Sequence, residues 1–414
     1  MKIEFNVKPY QQCMDVKIMY EKEEVRQNFF YLNRDFIITH CLVDDIKYDI
    51  CNSVEMVSLD DFDGYETKKY FIPPFDKKLT LEYTGILTGK TGCCPYVRET
   101  VSLEFTFIRW ETFCYPIFVN DNVTFRKFLS AKLRIDITVI IPDEFIAVTC
   151  MPEVASHAEN GVKTLNLWSD RHNIAIAIAK YTIKELSTGK FYLFGEIDSV
   201  TLEKTMIAAH NFMNEHFGAR DISNRTNYAA IPNRYGSFAT HLTVFVDEAT
   251  FKSVKTMSHI IHEFTHLGWN AKADDETQKI RFLDEAFSSY FEMRIMEHLI
   301  GDNYKLTEFI SRYKQQLSNY DGNIPISEFG NHGYGDLSYT IGAICLHQLS
   351  NFVGVGIFEK ATSIFIQKYR DTPINMQIFC SEYISLCNKP ELEQFFMDWI
   401  YSTKGPKSFM DGVK

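Results

Sequence analysis

The sequence predicts an α+β protein of more than one domain: an antiparallel β-domain first, a mixed α/β domain carrying the chemistry next, and helices at the C-terminus. Three observations predict this. The chain has 414 residues, more than one ordinary hydrophobic core organises. Its first 185 residues read as short β-branched and aromatic runs between turn signals. From about residue 190 the apolar spacing changes to the helical period. With 45% hydrophobic and 23% charged residues the composition is globular.

In order along the chain, stretches 29–32, 70–72, 101–108 and 133–141 are the clearest strand candidates. Turn signals at Asp61-Phe62-Asp63-Gly64, Pro73-Pro74, Thr88-Gly89-Lys90-Thr91-Gly92 and Pro142-Asp143 punctuate them. Leu133, Ile135, Ile137 and Val139 share one face, the two-residue period of a half-buried strand. Residues 199–217 place Leu202, Met206, Ala209, Phe212 and Met213 at helical intervals, with Ser199 as N-cap and Gly218 as stop. A strand is expected at 242–246, then helices at 250–267 and 279–300, the second closed by Gly301. From about 338 the chain reads as helices broken at Gly354-Val355-Gly356, Thr372-Pro373 and Lys389-Pro390. No repeat or Gly/Ser linker occurs, so the domains should pack closely. The expected boundaries are 1–185 for the β-domain, 186–330 for the domain with both long helices, and 331–414 for the helices completing it.

The net charge of −11 argues against a nucleic-acid partner, because neutralising phosphates needs a basic face. The N-terminus has no apolar run of a signal peptide, and no segment reaches 18 apolar residues, so a cytoplasmic protein without a membrane anchor is expected. Ten cysteines include no C-x-x-C pair, only the adjacent Cys93 and Cys94, and read as buried free thiols.

The chemistry concentrates in H-E-x-x-H at His262-Glu263-Phe264-Thr265-His266. Positions i and i+4 of a helix lie one above the other, so both imidazoles reach one metal ion. Glu263 sits beside the first ligand and can face a fourth coordination position, where a water loses its proton to the carboxylate. Ile260, Ile261, Phe264 and Leu267 surround these polar groups, so the helix should be largely buried, and buried titratable groups need a partner or a metal.

A zinc ion needs a third protein ligand. A histidine six residues after His266 is excluded, since that position is Lys272. His259 lies seven residues before His266, about 10 Å away along a helix axis, awkward for one ion. The best candidate is Glu285, nineteen residues after His266, a length that fits a helix end, a loop and the start of an antiparallel helix. Asp284 is the neighbouring alternative.

H-E-F-T-H followed by F-L-D-E-A-F-S-S-Y-F-E resembles the aminopeptidase N and leukotriene hydrolase family of gluzincins, whose second motif reads approximately W-L-N-E-G-F-A-S-Y-F-E. Thermolysin-type gluzincins place an Asp four residues after the third ligand; here that residue is Ser289, which favours the aminopeptidase branch. The resemblance implies an N-terminal β-domain, a thermolysin-like zinc catalytic domain and C-terminal helices, without the large helical domain of long members. It implies one Zn2+ on His262, His266 and Glu285, with Glu263 as base. It also implies an oxyanion-stabilising tyrosine in a Y-x-K-G context. Tyr339-Thr340-Ile341-Gly342 matches the Tyr and Gly, with Ile341 in place of Lys, 54 residues after Glu285. Tyr334 is a second candidate pocket tyrosine.

One departure bears on specificity. The family carries G-x-M-E-N before the zinc helix, and its Glu binds the substrate's α-amine. Here the segment is Arg234-Tyr235-Gly236-Ser237-Phe238-Ala239-Thr240-His241, with Gly236 but no Glu. Gly236 and Ser237 remain candidates for binding substrate backbone by edge pairing. Glu111, Asp247 and Glu248 are candidate replacement anchors. The expected activity is zinc-dependent aminopeptidase action on short peptides. The alternatives are a specialised endopeptidase and a silent zinc-binding scaffold, and a nucleic-acid role has no motif.

Overall fold

A computed structural model describes residues 1–25, 27–59, 65–91, 98–119, 132–219, 225–271, 281–301, 306–312, 317–318, 320–332, 334–370 and 372–413. The turn expected at Asp61-Phe62-Asp63-Gly64, together with Gly92, Cys93, Cys94 and Lys272, lies outside them.

Among the described residues, the N-terminal half is built from three sheets. The largest has eight strands in the spatial order Glu153–Glu159, Val162–Ser169, Ile135–Pro142, Lys2–Lys8, Cys13–Glu21, Lys78–Ile86, Phe36–Val43 and Ile46–Lys47. It is antiparallel except where Lys2–Lys8 runs parallel to Ile135–Pro142. Of the alternation read at Leu133, Ile135, Ile137 and Val139, the last three are buried strand positions, joined by Ile141; the strand begins at Ile135, and Leu133 is half-buried before it. A five-stranded sheet, including Thr106–Arg109 and Ala175–Ala179, and a three-stranded sheet share one buried core with it. The run expected to start at 101 becomes strand only at 106. The Ser102 hydroxyl accepts the amides of Glu104 and Phe105, a local turn that competes with the ladder.

The second half begins with a sheet in the spatial order Thr182–Leu186, Gly189–Leu193, Asn227–Ile231, Thr243–Asp247 and Phe238–Thr240. Strand alternation gives it two different faces. Ala229, Ile231 and Phe245 join the N-terminal core, while Phe191, Tyr228, Ala230, Val244 and Val246 join the core of the helices. The two cores are thus halves of one packed body sharing a sheet.

Nine α-helices among the described residues follow: α1 Ser199–Phe217, α2 Ser258–Gly268, α3 Phe287–Ile300, α4 Leu306–Arg312, α5 Ile341–Val353, α6 Val355–Tyr369, α7 Met376–Cys387, α8 Leu392–Trp399 and α9 Lys404–Val413. The N-cap of α1 is Asp198, one residue before the expected Ser199, because its carboxylate accepts the Thr201 amide. Gly218 ends α1 at φ +58, as its position suggested.

Two helical expectations are corrected. The motif helix starts at Ser258, not 250, because Thr250, Ser253 and Thr256 bond one another's hydroxyls and backbone in a tight turn. That turn has a use: the Thr250 hydroxyl accepts the amide of Ile260 and so caps α2 from outside. The helix expected from 279 opens as a π-helical turn, Phe282–Ala286, before continuing as α3. All eight cysteines among the described residues are free, but Cys51 is exposed and Cys13 half-buried, so the expectation of uniformly buried thiols fails at both.

Candidate metal centre

Helix α2 lies against α3, and the side chains of His262 and His266 reach Asp284 and Glu285 in the π turn, which brings the two motifs together. His262 and His266, one turn apart, direct Nε2 at the same atom, Oε2 of Glu285, at 3.2 and 3.3 Å. The three side chains are 9%, 9% and 5% exposed. Ligands at about 2.0–2.1 Å around a tetrahedral ion stand about 3.3 Å apart, so Glu285 Oε2 already stands at this spacing from each Nε2. Among the described residues, only these three form a metal-type group. The N, N, O donor set suits zinc with one position left open.

Electrostatics point the same way. Burial opposes protonation of His262, but Glu285 and Glu292 outweigh it and lift the imidazole to about 9. Burial likewise opposes protonation of His266, and Asp284 and Glu285 outweigh it. Glu285 is held well below the carboxylate range despite its burial, by His266, Arg281 and His262. The buried carboxylates of this pocket thus favour positive charge at the triad, the role a dication takes.

The other nitrogens of the ligand rings face polar groups: His266 Nδ1 is hydrogen-bonded, and His262 Nδ1 has an ion-pair contact only. His266 Nδ1 lies 2.9 Å from Asp284 Oδ1 and 2.9 Å from Ser288 Oγ. Adjacent residues of the π turn thus serve opposite nitrogens of one imidazole, Asp284 at Nδ1 and Glu285 at Nε2. His262 Nδ1 lies 3.4 Å from Glu292 Oε2. Glu292 is 1% exposed; burial would raise its pKa, but Arg312 and His262 hold it at about 2. Arg312 NH1 donates to Glu292 at 2.5 Å and to Ser258 Oγ at 2.8 Å, tying α4 to α3 and α2. Carboxylates on the far side of metal-ligating histidines fix their tautomer and orientation.

Sequence reasoning gave no role to Glu292, Ser288, Arg281 or Arg312. Glu292 had a signal, since it lies seven residues, about two turns, after Glu285 on the same helix face. Arg312 had none, because nothing local relates α4 to the motif.

Glu263 projects beside the triad, and burial raises its pKa. The Tyr339 ring stacks on that of His262, with centroids 5.6 Å apart and planes at 25°. Burial first, and Glu285 next, raise the phenol's pKa well above its ordinary value, so it remains a hydrogen-bond donor. His259 is exposed and outside the cluster. Tyr334 is half-buried at the start of the 3₁₀ turn Gly335–Tyr339 and packs against the helical core.

The segment without the family glutamate lies beside α2, and its strand Phe238–Thr240 is the edge of the central sheet. Gly236 has φ +69, and its carbonyl, with that of Tyr235, accepts Arg109 NH1 at 3.3 and 3.1 Å. Ser237 Oγ accepts the Asp247 amide. Glu111 gives both carboxylate oxygens to Arg109, at 2.7 and 3.2 Å. Asp247 caps the turn after its strand through the Ala249 amide, and Glu248 is exposed on that turn.

No family model and no curated protein sequence matches the chain. Solved structures do. A mutant of the M1 zinc metallopeptidase of Deinococcus radiodurans, bound to the peptide Tyr-Ser-Ala, superposes with a TM-score of 0.64 at 14% identity. The match covers 96% of this chain and 92% of that one. The same mutant without the peptide matches equally, with a TM-score of 0.64 over the same shares. The chain thus has the fold of an M1 zinc metallopeptidase and holds within it an intact His262–His266–Glu285 triad.

Proposed function

We propose that this protein is a zinc-dependent peptidase that removes residues from the free N-terminus of short peptides. The observation that carries the reading is the convergence of two Nε2 atoms on one Glu285 oxygen, with Glu263 and Tyr339 beside them. When bound by His262, His266 and Glu285, zinc would polarise the scissile carbonyl and acidify a water. Glu263 would take a proton from the attacking water and pass it to the departing amine; burial suits its carboxylate to the task. Tyr339 donates its phenolic proton in a hydrogen bond to the carbonyl oxygen as negative charge develops there. The edge strand Phe238–Thr240 offers unpaired backbone groups to an extended peptide. That the related fold was captured with a tripeptide supports short peptides as the substrate class.

A second reading, an endopeptidase on the same chemistry, is favoured by one observation. Glu111 is engaged by Arg109 through both oxygens, and residues 236–241 offer no carboxylate to an α-ammonium. One assay separates the two. Peptides with free and acetylated N-termini are compared on zinc-loaded protein, with chelator-treated protein and Glu263→Gln as controls. Cleavage of free peptides alone, abolished by chelator and lowered about 10²–10⁴-fold by Glu263→Gln, is expected. Equal cleavage of both sets selects the endopeptidase, and no zinc-dependent cleavage of either removes the peptidase reading.

A further inference from the structure

Arg281 stands immediately before the π turn, at φ +59 and ψ 10, in the left-handed region. For a residue with a Cβ this conformation costs about 1–2 kcal/mol, and glycine would fit it better. What the arginine does there is visible in its contacts. Its carbonyl accepts the Glu285 amide at 2.9 Å, while its NH2 donates to Oε1 of the same Glu285. The guanidinium carbon lies 5.2 Å from the centre of the Tyr339 ring, and NH1 is 3.7 Å from Asp336. One residue thus grips Glu285 from backbone and side chain and reaches the face of Tyr339.

The division of Glu285's two oxygens follows. Oε1 is taken by Arg281, and Oε2 is the atom that both histidine Nε2 atoms face. We propose that Arg281 is the positioning residue of the metal centre, fixing Glu285 so that a single oxygen is offered to the ion and holding Tyr339 over the same site. The proposal rests on the zinc-hydrolase reading above. Two effects of the guanidinium oppose each other. Its charge repels a dication and drains the ligand carboxylate. Its grip removes rotamer freedom that Glu285 would otherwise lose on binding metal, and partners that orient ligands in this way typically contribute about 10–100-fold in affinity. Because the side-chain contact is doubled by a backbone bond to the same residue, we take the ordering effect as the larger one.

The test measures zinc affinity of the full chain by competition with a chelator for wild type, Arg281→Gly and Arg281→Lys. Glycine relieves the left-handed backbone but leaves the buried Glu285 without its arginine, so the metal-free Arg281→Gly protein should unfold at or somewhat below the wild-type temperature. Its zinc affinity should fall about 10–100-fold, with part of the loss recovered by lysine, which keeps a charge and a donor but not the fork. Zinc bound by Arg281→Gly as tightly as by wild type, or more tightly, at unchanged metal-free stability would overturn the proposal. Should the glycine variant unfold, Arg281→Asn, also tolerant of this conformation, takes its place. The readout is independent of hydrolysis: a wild type that cleaves no peptide defeats the peptidase reading and leaves this comparison intact.

Discussion

At the scale of single residues, Tyr339 is where the site's geometry makes the sharpest kinetic claim. Its ring is fixed by His262 on one side and the Arg281 guanidinium on another, so losing the hydroxyl leaves the packing in place. Tyr339→Phe should therefore lower kcat about 10²–10³-fold, the loss typical of one oxyanion donor, with KM within a few-fold and zinc content unchanged. Steady-state kinetics with metal analysis check this, and an unchanged kcat would remove Tyr339 from the catalytic machinery. Residue-scale chemistry was legible where it follows helix geometry. His262 and His266 announce themselves by i, i+4 spacing, and Glu285 by the length of chain that returns it to them. Asp284 was weighed as a third ligand, and its placement on His266 Nδ1 depends on the π turn, which local sequence does not announce.

At the scale of elements, the π turn and helix α5 explain a glycine. The Cβ of an alanine at 342 would stand 2.6 Å from Ala286 Cβ and 3.3 Å from a Phe282 ring carbon, both in the turn that carries Glu285. Ala286 belongs to the turn's backbone wall and cannot rotate away, so the elements must separate. Gly342→Ala gains less than about 1 kcal/mol of helix propensity near the start of α5 but suffers overpacking of about 1–3 kcal/mol. The expected net result is a lower denaturant midpoint and weaker zinc binding, because the displaced turn moves Glu285. A variant as stable as wild type with unaltered zinc affinity would show that the turn is not set by this contact. The sequence pattern flagged Gly342 only by resemblance; the close approach supplies the reason. Element type was readable wherever a period persisted, as in Ile135–Pro142 and Ser199–Phe217. It misled where hydroxyls intervened, at Thr250–Thr256 and Ser102, because side chains bonding to nearby backbone leave the apolar spacing unchanged while breaking the element.

At the scale of the whole molecule, the central sheet joins the N-terminal layers to the metal centre. Arg109, at the end of an N-terminal strand, holds the carbonyls of Tyr235 and Gly236 just before the edge strand beside α2. Asn173 meets His241 at the tip of the same hairpin at 2.8 Å, and the Thr243 hydroxyl donates to Thr149. No spacing rule could foretell these contacts, which span 68 to 127 residues of sequence. Next to Asn173, His172 is 5% exposed and lies parallel to Tyr115, with Nδ1 3.3 Å from its hydroxyl. Burial, then the N-terminal ammonium, pushes His172 down to about 3. The native protein therefore keeps this ring neutral while the unfolded chain protonates it near 6.5. The unfolded state binds the extra proton between these values, so the contribution is fully present above pH 6.5 and is lost as pH falls towards 3. Within that window His172 should remove up to about 1.4 kcal/mol per pH unit. His172→Gln keeps a polar side chain beside Tyr115 but does not titrate. Its stability, measured by urea unfolding between pH 7 and 4, should fall less steeply than that of wild type. Because the shared sheet couples the two cores, the same flattening should appear in probes of the helical half. Equal slopes in both proteins would mean that His172 is not the buried neutral group, and a flattening confined to the N-terminal half would mean that the sheet does not bind the two cores into one cooperative unit.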